Sequence, residues 1–201
     1  MMDRFRSGRT LSPLKQAEAY WAARREPDGL PLRARIDPRG IENILPWCFI
    51  LERIAPTHAR FRLAGRELNA LAGTELRGLP AGVLVTAAAR PLLGQLLAGM
   101  FDGPAIAELS LDARDIEARA ILLPLRGDDG QVSRALGVLV ADGAGRAPLR
   151  LAITAHQLRP VAGAASATQD PPEPAPRHHP APGLSEAPAA FRSAPKLRVV
   201  K

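Results

Sequence analysis

Apolar residues along this chain recur first with a helical period and then with a strand period, and the switches fall at turn residues. Leu14, Ala17, Tyr20, Trp21 and Arg24 follow one another at helical spacing. Ser12 is suited to cap that helix and Pro13 to open it, while Pro27-Asp28-Gly29 stops it. Leu30 to Asp37 reads as extended chain, and Asp37-Pro38 as a turn or helix start. Ile41, Ile44 and Leu45 then make a short helical patch that Pro46 closes.

Trp47 to Ile54 is rich in aromatic and β-branched residues, Ala55-Pro56-Thr57-His58 is a turn, and Ala59 to Gly65 is the return strand of a hairpin. A hairpin centred near Thr57 sets Glu52 opposite Arg62, on one face with Ile50 and Ala64. Phe49, Leu51, Phe61 and Leu63 then form an apolar wall on the other face. Arg66 to Ala72 reads as a short helix with Gly73 as its C-cap. Val83 to Met100 reads as the major helix, with Leu92, Leu93, Leu96, Leu97 and Met100 at helical period and Pro91 either kinking it or starting its second half. Three strands follow, over 105–111, 116–125 and 134–141, and Gly127-Asp128-Asp129-Gly130 turns between the last two. Leu149 to Leu158 suits a strand extension or a short helix. Strands grouped at both ends around helices predict an antiparallel sheet with helices on one face.

Composition changes this picture in three places. Beyond Pro160 the chain turns to Ala, Pro, Ser and charged residues, too poor in large apolar side chains to offset the entropy of ordering. Residues 161–201 are therefore expected to be disordered, ending in the basic stretch Lys196 to Lys201, a strand-adding docking peptide or a solvated terminus. The apolar run from Leu79 to Phe101 carries Arg90, Pro91 and Gln95 at its centre, which favours a buried helix over a membrane span. The net charge of +7 is carried mainly by arginine and is scattered rather than clustered, which suits an arginine-rich genome better than a nucleic-acid interface. One cysteine, Cys48, allows no internal disulfide, and MMDRFRSGRT leads into no apolar signal region, so a cytoplasmic protein is expected.

The lead-in Ile36-Asp37-Pro38, the strand ending Leu51-Glu52-Arg53, the second strand Arg62-Leu63-Ala64-Gly65 and the later Leu76-Arg77-Gly78 come in an order and spacing that resembles a bacterial PAS-domain family of single-domain proteins. The likeness covers about residues 14–142. It implies an α+β, PAS-like five-stranded antiparallel sheet with helices on one face. On this reading, 1–28 is an N-terminal arm and flanking helix, 29–160 the PAS-like domain and 161–201 the tail. It also implies a role in sensing, signalling or protein–protein contact, and no catalytic residue.

The residues agree that catalysis is not the expectation. No phosphate loop, dinucleotide fingerprint or nucleophile elbow is present, and no nucleophile–base set assembles. Cys48 between Trp47 and Phe49 reads as a buried inert thiol rather than a flavin-adduct cysteine, and His58, His156, His178 and His179 are poorly placed for haem. No metal site and no cofactor are predicted. Phe49, Leu51, Phe61, Leu63, Leu93, Leu97 and Met100 line a ligand pocket or simply fill the core, and Glu52 with Arg62 is a structural or switchable pair. Tyr20 and Trp21 on the flanking helix either pack on the domain or form an interface to a signalling partner or a second copy. The expected function is a sensory or interaction module with no catalytic output of its own and no membrane contact. The alternatives are a basic nucleic-acid-associated protein and, less favoured, a small-ligand enzyme.

Overall fold

Strands form where side chains alternate between two covered faces. A computed structural model of the chain describes residues 12–27, 29–114, 116–142 and 148–163. The hairpin is Cys48–Ala55 (β1) and His58–Ala64 (β2), and the later strands are Ala105–Ala113 (β3), Ile116–Arg126 (β4), Val132–Asp142 (β5) and Ala152–Pro160 (β6). They pair antiparallel throughout, in the order β2-β1-β5-β4-β3-β6.

The α+β class is as the residues imply, but the sheet has six strands rather than five. The additional strand is β6, which lies along β3 and is exposed over most of its length. An edge strand with little to bury need not alternate, so its sequence did not separate strand from helix.

The expected helices lie on one face of the sheet, and the N-terminal flanking segment covers the other. On one side lie helices Arg66–Ala72 (α2) and Arg90–Asp102 (α3), packed on Phe49, Leu51, Leu109, Leu122 and Leu139. On the other lie helix Pro13–Ala23 (α1) and a kinked 3-10 segment, Pro38–Trp47, packed on Ile50, Ile121, Leu123, Leu136 and Val138. The nearly continuous apolar run of β4 follows from this, since each face of a central strand meets a helix. Each fully buried Ile, Leu or Val side chain contributes about 1.5–3 kcal/mol, so leaving the second face bare would be costly.

Local signals place the helices. In α1 the Ser12 hydroxyl accepts from the Lys15 amide and Pro13 opens the first turn. In α2, Gly73 ends the helix in the left-handed region at φ 71°. The expected helix over 83–100 is shorter at its start: α3 begins only at Arg90, with Pro91 in its first turn. A proline ring blocks the turn before it, so 81–89 holds only two short 3-10 turns. The backbone of Leu84 and Thr86 pairs with Leu151 instead, through two 2.9 Å hydrogen bonds. No helix among the described residues is long and apolar enough to cross a membrane.

The chain divides into two units, Met1–Thr168 and Gln169–Lys201, and every described residue belongs to the first. The flanking helix α1 is packed within that first unit. Packing also runs one residue past the expected boundary, where buried Val161 donates its amide to the Pro104 carbonyl. Residues 1–11 of the expected N-terminal arm, and the tail from 164 with His178, His179 and Lys196 to Lys201, lie outside the described residues.

Candidate functional site

The hairpin does not close in the simple register. Leu51 pairs with Phe61 and Ile50 with Leu63, so Arg62 is an extra residue that bulges from β2. Two expectations are corrected by that one residue. Glu52 stands opposite Arg60, not Arg62. Leu63 joins Ile50 rather than the wall of Phe49, Leu51 and Phe61, and it is 49 % exposed.

Glu52 nevertheless meets Arg62, and two further arginines as well. Its carboxylate, nearly buried, accepts from Arg60 Nε at 2.7 Å and Arg62 Nη2 at 2.8 Å and forms an ion pair with Arg134. Arg134 arrives from β5, where it is the register partner of Glu52 across β1. One carboxylate thus ties β2, β1 and β5 together. Burial pushes the Glu52 carboxyl upward, but the hydrogen bonds from Arg62 and Arg60 and the charge of Arg134 outweigh it and hold the group at about 2.

The sign of the pH dependence follows. The ordinary value is 4.5, so as pH falls the unfolded chain takes up the proton before the folded one. The stability that Glu52 contributes is complete above about 4.5 and lost as pH falls toward 2. Glu52→Gln should therefore flatten the acid limb of the stability curve in that window and cost about 2 kcal/mol at neutral pH, below the range for fully buried pairs because the arginines are partly exposed. Urea titrations across the window measure this, and an unchanged slope would remove the carboxylate from its central role.

Beside this cluster is an open cleft of about 390 Å³, lined by Arg33, Ile50, Arg62, Leu63, Asp128 and Arg134 among others. It lies on the α1 side of the sheet, the face to which Ile50 belongs.

The residues proposed as pocket or core sit on the opposite side, Leu63 excepted. Phe49, Leu51, Phe61, Leu93, Leu97 and Met100 join one buried cluster between sheet and α3. The rings of Phe49 and Phe61 meet edge to face at 5.5 Å between centroids. Arg53 of β1 pairs with Asp102 at the end of α3 at 2.7 Å and lies over the Phe101 ring, fixing the helix over this cluster.

Trp21 is not an exposed interface residue. It is 2 % exposed, and its indole Nε1 donates to the Pro124 carbonyl at 2.8 Å. Pro124 lies beyond the β3–β4 ladder, a position that tolerates its missing N–H and leaves its carbonyl available. Tyr20 is also engaged within the fold: its hydroxyl donates to the Asp37 carbonyl at 2.9 Å and accepts from the Asp37 amide at 2.8 Å. The exposed side of α1 is instead Lys15, Ala19, Ala22 and Ala23. The helix is anchored to the sheet by Trp21 near its C-terminal end and, at its middle, by Arg159 of β6, which pairs with Glu18 at 2.6 Å and with Glu108 of β3 at 2.8 Å.

Cys48 donates its thiol to the Ile44 carbonyl at 3.2 Å, and burial pushes it up to about 12. The native protein should resist iodoacetamide at mildly alkaline pH and label only on unfolding. Mass spectrometry along a urea series checks this, and labelling of the folded protein at the free-thiol rate would contradict it. His58 and His156 are exposed at the start of β2 and on β6, away from the buried clusters. Among the described residues, no three His, Cys, Asp or Glu side chains gather as a metal site would need.

Arg60, Arg134 and Arg33 are the members of this region that the residue pattern did not single out. Arg60 needed the bulge to be known, and Arg134 and Arg33 needed contacts between segments far apart in the chain.

A six-stranded antiparallel sheet in this order with helices α2 and α3 across one face defines an α+β fold. The PAS domain family model matches residues 9–140, well over half of the chain, and the chain belongs to that family. PAS domains are sensory and interaction modules, generally not catalytic, that commonly bind small ligands. A comparison with curated proteins returns no match.

Proposed function

We propose that this PAS domain is a sensory and protein-interaction module of bacterial signalling, without catalytic output of its own, that acts in the cytoplasm by contacting a partner protein or a second copy. The observation that carries this reading is the attachment of α1. Trp21 hooks the helix to β4, and Glu18 hooks it through Arg159 to β6 and β3. A shift in the sheet would therefore reach the helix, whose outer side of Lys15, Ala19, Ala22 and Ala23 is small and open enough for another helix to pack on. The buried thiol of Cys48 suits a reducing compartment.

The contact is tested by Ala19→Glu with Ala22→Glu on the full chain. Both positions are exposed, so thermal unfolding should stay within a few degrees of the parent while self-association or partner capture is lost. Unchanged light-scattering mass and unchanged partner binding would end the reading. The nucleic-acid alternative draws less support, because the arginines on this face gather around one cleft of about 390 Å³ rather than forming an extended basic stripe. Binding that falls steeply with salt in a gel shift would revive it.

A further inference from the structure

Three arginines, Arg33, Arg62 and Arg134, line the cleft on the α1 side of the sheet. Only one lining residue is acidic, Asp128. The carboxylate beneath them, Glu52, is shared by Arg62 and Arg134 with yet another arginine, Arg60. Arg33 is half-buried and makes no ion pair among the described residues. A guanidinium carries five N–H donors, and Glu52 takes Nε and Nη2 of Arg62 and only Nη1 of Arg134. The site therefore has positive charge in excess and donors to spare.

It also has an apolar part. Ile50 is buried at the cleft and Leu63, 49 % exposed, is delivered there by the bulge at Arg62. An apolar group laid on this leucine would gain about 25 cal/mol for each Å² of apolar surface taken out of water. The volume of about 390 Å³ is at the small end of the range for organic ligands. Planar guanidinium forks match carboxylate and phosphate oxygens in pairs.

We infer that this cleft binds a small organic oxyanion, a carboxylate or phosphate head on Arg33, Arg62 and Arg134 with a short apolar body against Ile50 and Leu63. The site is separate from the core between sheet and α3. The inference leans on the sensory reading only for the ligand's purpose as an input signal, and binding itself is measured independently. An oxyanion here would compete with Glu52 for two of the arginines that tie β2 and β5 to β1, which gives occupancy a route into the sheet.

Hexyl phosphate and hexanoate, titrated into the full-length protein, should each move the amide resonances of Arg62, Leu63 and Arg134, and the stronger of the two identifies the head group. Inorganic phosphate should bind more weakly and hexanol not at all. Arg33→Ala should weaken hexyl phosphate about tenfold, the loss of one charge-assisted hydrogen bond, without lowering the unfolding temperature. Leu63→Ser, at an exposed position, should bring hexyl phosphate down to the level of inorganic phosphate. Absence of shifts at these residues, or undiminished binding by Arg33→Ala, overturns the inference. So does a DNA duplex that occupies the same residues more tightly than hexyl phosphate. Binding as described but with self-association unaffected upholds the site and counts against the sensory reading instead.

Discussion

Trp21→Ala should destabilise the domain by about 3–5 kcal/mol, the cost of emptying the space of a large buried aromatic. The indole is 2 % exposed and packs with Ala17, Ile41, Ile44 and the α1-side residues of the sheet. Its loss leaves a cavity, and it also leaves the Pro124 carbonyl without the donor that reaches it at 2.8 Å. Trp21→Phe keeps most of the volume and loses the hydrogen bond, so about 1–2 kcal/mol is expected. Domains of this size hold about 5–15 kcal/mol in all, and the alanine variant should be near the limit of folding at physiological temperature. Urea denaturation measures both. A cost under about 1 kcal/mol for Trp21→Ala would mean that α1 does not belong to the packed fold, and the proposed path from sheet to helix would fail with it.

The contrast between α1 and α2 separates what local sequence specifies from what it does not. α2 was readable to the residue, Arg66–Ala72, because its stop signal is local: a glycine free to take the left-handed conformation. The existence of α1 was equally readable, from Ser12 and Pro13 and its apolar spacing. Its destination was not, because an apolar stripe says that a face is buried and not which surface covers it. The alternation of β5, with Leu136, Val138 and Val140 on one side and Ala135, Gly137 and Leu139 on the other, already demanded two covered faces. Only the tertiary fold shows that the N-terminal helix supplies the second cover.

The candidate site divides the same way. Glu52 and Arg62 were legible as a pair because they lie across one hairpin. The bulge was not, since a bulge arises from the twist and side-chain demands of the assembled sheet. That single slip moves Leu63 from the core wall to the open cleft and Arg60 into the pairing position. Arg134 enters through the β1–β5 ladder, a pairing between distant parts of the chain that local pattern does not contain. The cleft is therefore a product of register and topology, and the residues that line it carry no signature when read along the chain.

Gly137 shows how strictly the core on the other face is built, and its substitution is the second change expected to have a large effect. Gly137 on β5 is the register partner of Phe49 on β1, and a β-carbon placed there would run into the Phe49 ring. The aromatic ring covers bare backbone, which offsets the strand's loss of a side chain at that point. Behind the ring is Phe61, edge-on at 5.5 Å, so Phe49 has a buried neighbour where it would need to retreat. Gly137→Ala should cost about 2–3 kcal/mol and Gly137→Val more, through overpacking. Phe49→Ala alone should cost about 3–5 kcal/mol by leaving a cavity. Combined, Gly137→Ala and Phe49→Ala should cost less than the two apart by about 1–3 kcal/mol, because the new methyl enters space the ring has vacated. Urea denaturation of the four members of that cycle supplies the coupling. Strict additivity would mean that ring and glycine do not meet. Hexyl phosphate binding should survive in every variant that folds, since this contact faces α3 while the cleft faces α1.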